Sequence, residues 1–307
     1  MKYKTWFAIV NPASANWRTR KEWPRIHKSL VENNINVDYA VTTYPGEATL
    51  LTRQALQDYS QILSVGGDGT LNEVVNGFFE NNRTINAEAS LGILSHGTGG
   101  DFLRSLNQER GLAAFLDVLR RERIIPIDCG LVQYQDSFGV QHHRYFLNVA
   151  DVGLGGETVA RVNRHSKFFG GKLSFMAGSL VSILTYKNKR MKCIIDGKDV
   201  VNDQINSIMI ANGHFFGGGM MIAPNADFTD GLFDVITLGD FTTLELLQHL
   251  PKIYQGKHLE VPGVSVYRGR NITIMSDPDG LLEVDGEQPG CTPAHFSLIP
   301  RGIRIWT

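Results

Sequence analysis

The chain has 307 residues, 42% hydrophobic and 20% charged, which excludes a disordered polypeptide and predicts two domains of roughly 150 residues each. Its 30 Lys and Arg residues against 31 Asp and Glu leave a net charge of −1, which argues against a nucleic-acid partner. No apolar run reaches the ~18 residues of a membrane span, and three dispersed cysteines, Cys129, Cys193 and Cys291, give neither a disulfide framework nor a metal motif, so a cytoplasmic protein is expected.

Residues 5–10 read as a short buried strand. Residues 18–33 carry helical spacing through Trp23, Ile26 and Leu30, with Pro24 near a helix start or at a kink. A strand at 37–42, a helix at 46–59, a strand at 61–65, a helix at 71–79 and a strand at 91–95 follow. This alternation predicts an α/β domain on a mostly parallel sheet, with ligands bound beyond the carboxyl ends of the strands. From about residue 127 the segments are short and β-rich: 128–133, 144–149, 191–195, 206–210, 233–238, 271–275 and 281–284. Asp196-Gly197, Asp279-Gly280 and Asp285-Gly286 punctuate them. Only 172–186 and 243–255 read as helices. The pattern predicts a mostly antiparallel second domain at 128–295 after a first at 1–127. The last strand, 296–306, fits either.

Glycine, at 32 residues, is concentrated in clusters. Gly66-Gly67-Asp68-Gly69-Thr70 follows a strand and precedes a helix, and Thr70 and Glu73 have capping-box spacing. Strand, glycine turn and helix N-terminus make a phosphate-binding geometry. A carboxylate beside phosphate needs a cation between them, so Asp68 points to Mg²⁺; the plainer reading is a tight turn that Asp68 caps. Ser95-His96-Gly97-Thr98-Gly99-Gly100-Asp101 follows the next strand. On a helix Asp101 and Arg104 share a face, the one suited to Mg²⁺ or water and the other to phosphate. His96 reads as a polar loop residue, with a nucleotide contact as the alternative. Asn212-Gly213-His214 and Gly217-Gly218-Gly219 precede Asp227, Asp230 and Asp234, carboxylates that suit either a hard cation or an acidic turn.

Together these residues resemble the diacylglycerol kinase catalytic family, which includes soluble bacterial lipid kinases and the sphingosine and ceramide kinases. The resemblance rests on Asn11-Pro12, on the stretch from Val65 to Gly77, on Gly97 to Arg104, and on Asp227 to Asp234 followed by Val284-Asp285-Gly286-Glu287. It implies a three-layer, NAD kinase-like α/β domain that binds ATP and a β-sandwich that binds lipid. Asn11, Thr43, Gly66, Gly67, Asp68, Gly69, Thr70, Leu71, Asn72, Glu73 and Thr98 would line the nucleotide site. Asp68, Asp101 and Asp128 would organise Mg²⁺ and its waters. Arg104 and Lys167 would offset phosphate charge. Asp227, Asp230 and the Leu232 carbonyl would hold a structural cation. Glu287 would be the general base, with Asp285 beside it. The implied reaction is ATP- and Mg²⁺-dependent phosphorylation of a lipid hydroxyl, first of all diacylglycerol to phosphatidate. An NAD kinase-like enzyme and a catalytically weak lipid-binding member are the alternatives.

Two departures from the family pattern stand out. Ala15-Asn16 stands at the end of a common Ser-Gly-Lys, so a phosphate-contacting lysine is either missing or replaced by Arg18, Arg20 or Lys21, and Gly100 stands where many members have Asn. A kinase of lipids without a spanning helix works peripherally at the membrane surface. The candidate contacts are Lys167-Phe168-Phe169 with Lys172, and the basic run from Lys187 to Lys192. A homodimer is compatible with all of this.

Overall fold

The computed structural model describes residues 5–96, 99–165 and 180–307. They fall into two compact units, Met1–Cys129 with Ile299–Thr307, and Gly130–Leu298. Among the described residues no helix is long and apolar enough to cross a membrane.

The first unit runs β1 (Trp6–Val10), α1 (Ser14–Glu32), β2 (Val37–Val41), α2 (Glu47–Ala55), β3 (Gln61–Gly66) and α3 (Asp68–Gly77). A small hairpin, β4 (Phe79–Glu80) and β5 (Arg83–Thr84), leads to β6 (Ser90–Ser95), α4 (Asp101–Ser105), α5 (Leu112–Arg121) and the start of β7 (Ile124–Gln135). The sheet order is β2-β1-β3-β6, all parallel. The end of the last strand, β19 (Cys291–Trp306), extends it in parallel on β6. β1, β3 and β6 are nearly continuous apolar runs, as expected of parallel strands covered on both faces. Trp6, Leu63 and Val65 of the sheet pack with Trp23, Ile26 and Leu30 of α1, Phe115 and Leu119 of α5, and Trp306. The register aligns Val10 with Val65 and Gly66 with Ser95, so three strands end together at their carboxyl ends.

Local differences from the sequence-based expectation have local causes. α1 is bounded at Ser14, but Ala15, Asn16 and Trp17 are left-handed (φ 52, 56 and 66°), so regular helix starts only at Arg18. Pro24 then lies inside the helix, not at its start. α5 was not expected, although Leu112, Phe115, Leu116 and Leu119 recur at helical spacing behind Gly111. The capping box at Thr70 and Glu73 does not form. α3 starts three residues earlier with Gly67 at its N-cap, and both side chains bind elsewhere.

The second unit contains the rest of β7, then β8 (Gln141–Phe146), β9 (Val149–Gly153), α6 (Leu154–His165), β10 (Lys189–Ile195), β11 (Lys198–Ile205) and β12 (Ser207–Ala211). The hairpin β13 (Phe215–Phe216) and β14 (Met220–Met221) follows, then β15 (Phe233–Leu238), α7 (Thr243–Tyr254), β16 (Val264–Gly269), β17 (Asn271–Asp277), β18 (Leu282–Val284) and the first part of β19. One sheet, β16-β15-β12-β9-β18, is antiparallel throughout. The other antiparallel layer contains β11-β10-β17-β19 and the β7–β8 hairpin. Val152, Ile208, Ile210 and Val235 of the first meet Met191, Cys193, Ile274 and Phe296 of the second in one core, a β-sandwich. Gly217, Gly218 and Gly219, all at positive φ, make the β13–β14 turn, which a side chain would strain.

The strand expected at 144–149 is two strands, broken at Leu147 and Asn148. Residues 180–185 are helical, and the remainder of the helix expected at 172–186 lies outside the described residues, as do Lys167, Phe168, Phe169 and Lys172. The basic run 187–192 is only partly a charged surface: Lys187 and Arg190 are exposed, while the others are half-buried or core. It enters β10, where Met191 is core and the Lys189 ammonium contacts Glu157 Oε1 at 3.3 Å and the Asp279 carbonyl at 2.7 Å.

Candidate functional site

In the first unit two glycine loops leave adjacent parallel strands, β3 and β6, at the same level. They are tied to each other. The Gly100 N–H donates to Asp68 Oδ2 at 2.6 Å. A Cβ on Gly99 would run into that carboxylate. Gly100 itself is left-handed, at φ 83°, and a Cβ there would lie 2.6 Å from Arg110 Nε. The missing side chain at Gly100 therefore admits the Arg110 guanidinium to this loop, which sequence reasoning missed. Thr98 lies outside the described residues.

The β1–α1 loop joins the same place. Asn11 Nδ2 donates to Thr70 Oγ1 at 2.9 Å, and Asn11 Oδ1 accepts the Ala13 N–H at 3.0 Å. The Thr70 hydroxyl lies over Gly66, where any side chain would collide with it. Glu73 Oε2 accepts the Ala48 N–H at 3.2 Å, and Thr43 Oγ1 donates to Glu47 at 2.8 Å. Leu71 and Asn72 are buried on α3. Asn11, Gly66 and Thr70 thus meet, with Gly67, Asp68 and Gly69 at the helix N-terminus, while Glu73 ties α3 to Ala48 and Thr49 of α2. His96 is more than a loop residue, since its Nδ1 lies 3.1 Å from Glu22 Oε2 of α1. Burial holds its imidazole below the usual pKa, against the pull of Glu22. Arg18 is committed to the same Glu22 at 2.6 Å.

The three carboxylates expected around Mg²⁺ all have protein partners. Asp68 accepts from Gly100, Asp101 Oδ1 pairs with Arg104 Nη1 at 2.5 Å, and the fully buried Asp128 accepts the Arg301 N–H at 2.7 Å. Among the described residues no three His, Cys, Asp or Glu side chains are grouped to cage a metal ion.

In the second unit β18 ends in a two-residue turn at Asp285 and Gly286 (φ 48 and 89°), and Glu287 follows it, half-buried. Both positive φ values mark the type I′ geometry that Asp-Gly favours. The Asp285 carboxylate accepts the N–H groups of Leu147, Asn148 and Val149 at 3.0, 3.0 and 3.3 Å. That is the partner the broken 144–149 segment needs. Behind the turn lies a pair that sequence reasoning missed. Asp151 stands directly opposite Glu283 across the β9–β18 ladder, and both are buried. Asp151 Oδ2 accepts the Gly155 N–H and Glu283 Oε1 the Gly286 N–H, while Asp151 Oδ1 and Glu283 Oε2 are buried without a partner. Burial pushes Asp151 up to about 7, and burial with the charges of Asp151, Asp285 and Glu287 pushes Glu283 well above the carboxylate range. Two facing carboxyls in a low dielectric do not both ionise, so the pair keeps a proton near neutrality. The available signal was an acid within each apolar strand, at Asp151 and at Glu283.

The implied structural-cation site does not fit a divalent ion. Asp230 Oδ2 is taken by Arg268 Nη2, and Arg268 Nε lies 3.2 Å from Asp234 Oδ1. Asp227 Oδ1 accepts the N–H and hydroxyl of Thr229 at 2.9 and 2.7 Å, and Asp230 Oδ1 accepts the Leu232 N–H at 2.9 Å.

Known proteins match both units. Residues 5–132 match the model of the diacylglycerol kinase catalytic domain, and residues 148–307 that of the YegS C-terminal NAD kinase beta sandwich-like domain. A diacylglycerol kinase of Staphylococcus carnosus is 26% identical over 97% of this chain and 94% of its own length. One of Bacillus subtilis is 25% identical over 97% of this chain and 94% of its own length. The crystal structure of a diacylglycerol kinase from Bacillus anthracis shares the fold at a TM-score of 0.72 and 20% identity, covering 100% of this chain and 97% of that one. An NAD kinase from Archaeoglobus fulgidus, in complex with ATP, shares it at 0.54 and 13%, covering 99% and 94%. With the catalytic-domain match over its first unit and the sandwich match over the whole second half, the chain belongs to the diacylglycerol kinase catalytic family.

Proposed function

We propose that the protein is an ATP-dependent lipid kinase that phosphorylates a lipid hydroxyl, with diacylglycerol as first acceptor and phosphatidate as product. The observation that carries this reading is the pair of glycine loops at the ends of β3 and β6, locked together by Asp68 and the Gly100 N–H. Backbone N–H groups and a helix N-terminus suit the phosphates there. Relatives across nearly the full length are named diacylglycerol kinases, which supports the acceptor class.

Gly66 to Glu73, Asn11, Thr43 and Thr98 would bind and orient the nucleotide. Mg²⁺ entering with ATP would neutralise phosphate charge, and Asp68, Asp101 and Asp128 would hold its waters. Arg104 and Lys167 would offset charge on the transferring phosphoryl. Glu287 would take the proton of the lipid hydroxyl as its oxygen bonds to the γ-phosphorus and ADP leaves. Asp285 would set the turn that presents Glu287. The lipid would be met at a membrane surface.

Incubation with labelled ATP and diacylglycerol, monoacylglycerol, ceramide, sphingosine, phosphatidylglycerol or NAD tests the proposal. Label should enter a lipid. Label in NAD alone would favour the second reading, which the NAD kinase fold keeps in play. Glu287→Gln should lower kcat at least ~100-fold while ATP still binds, because a general base contributes 10²–10⁴-fold. Unchanged turnover would refute the base assignment.

A further inference from the structure

We propose that Arg268 is a built-in cation for the loop at 227–234, so that the second unit folds without a divalent ion there. The proposal is independent of the kinase reading.

The argument starts from register. β15 and β16 are antiparallel, with Asp234 directly opposite Arg268 and Phe233 opposite Gly269. Directly opposed side chains share a face with Cβ atoms about 5 Å apart. β15 begins at Phe233, within this segment, so the Arg268 side chain also reaches back past the strand start to Asp230. Its Nε meets Asp234 Oδ1 at 3.2 Å and its Nη2 meets Asp230 Oδ2. Arg270, two residues on, donates from Nε to the Gly231 carbonyl at 3.0 Å. Two carboxylates and a carbonyl of one loop are the oxygen set a hard cation takes. Here guanidinium groups take it.

Chemistry and burial support the substitution. Guanidinium is always charged, and its fixed fork of five N–H donors can serve two carboxylates at once. Asp234 is 4% exposed, and a buried carboxylate needs a nearby opposite charge. A divalent ion at Asp230 would have to displace Arg268, since two cations at contact distance repel. Asp227, the remaining acid, is turned to Thr229.

The test is thermal unfolding of the full chain, free of nucleotide, in EDTA and in millimolar Mg²⁺ or Ca²⁺. The wild-type Tm should be the same in all three, and the dialysed protein should carry no stoichiometric metal. Arg268→Met should lose roughly 5 °C or more in EDTA, as expected for breaking a partly buried pair, and regain part of it with either ion. Arg268→Lys should lose less and stay insensitive to the ions. A wild-type Tm that falls in EDTA and returns with Mg²⁺ or Ca²⁺ would overturn the proposal. So would one bound ion per chain after dialysis, or an Arg268→Met variant as stable as wild type in EDTA. Should Arg268→Met not fold, the wild-type comparison still decides.

Discussion

Asp151 and Glu283 are costly residues of the second unit. Each is a carboxyl in a strand interior, opposite the other, with one oxygen unpartnered. Asp151 is raised to about 7 from 3.8, so the folded chain keeps a proton that the unfolded chain releases above about pH 4. Its contribution to stability is full below pH 4 and is lost as pH rises to 7, at up to about 1.4 kcal/mol per pH unit. Asp151→Asn keeps the shape and removes the titration. Its urea midpoint should rise relative to wild type between pH 5 and pH 8, and a difference that does not change with pH would contradict the assignment. At Gly100 the departure from the family pattern has a physical counterpart: the left-handed backbone tolerates Asn, but the Arg110 guanidinium occupies the side-chain space. The glycine loops and the Asp285-Gly286 turn were legible residue by residue, because turn chemistry is written in neighbouring positions, whereas a role for Glu287 is implied only by the family resemblance. The Arg110 contact was not, because it depends on how the chain after α4 returns to the loop.

At the scale of elements, the Asp285-Gly286 turn does two jobs. It reverses the chain before Glu287, and its carboxylate terminates three N–H groups at the break between β8 and β9. Asp285→Ala leaves those donors without their acceptor. The cost should be about 3 kcal/mol, since each unsatisfied buried group costs roughly 1–3 kcal/mol and water at this half-buried turn recovers part. Denaturant midpoints measure it, and a loss below about 1 kcal/mol would show that the turn holds without the carboxylate. The alternation of strands and helices was readable from apolar runs and periodicity. The break at Leu147 and Asn148 was not, since no Gly or Pro marks it and its partner lies 138 and 137 positions away. The capping box at Thr70 failed for a similar reason: Asn11 and Ala48 compete for Thr70 and Glu73, and the helix begins where Gly67 allows it.

At the scale of the whole molecule, the first unit is discontinuous in sequence. Ile299–Thr307 completes it, and Trp306 packs on Trp6 with ring centroids 5.5 Å apart while its Nε1 donates to Ser90 Oγ at 3.0 Å. Trp306→Ala should cost about 3–5 kcal/mol by the usual toll of large-to-small core changes. The loss should fall on the unit that holds the glycine loops, so calorimetry should show one transition lowered and ATP protection of that transition reduced. Equal lowering of all transitions would contradict this assignment.

The sequence by itself determined the α/β alternation, the β-rich second half, the two glycine loops at strand ends and the family, because periodicity, turn residues and contiguous motifs act over a few positions. Only the tertiary structure decided which groups meet. Asp68 reaches Gly100 over 32 positions, Arg268 reaches Asp230 over 38, and Asp151 faces Glu283 across a ladder joining distant strands. Register sets these contacts, and register follows from how two whole layers close on each other, which no local pattern encodes.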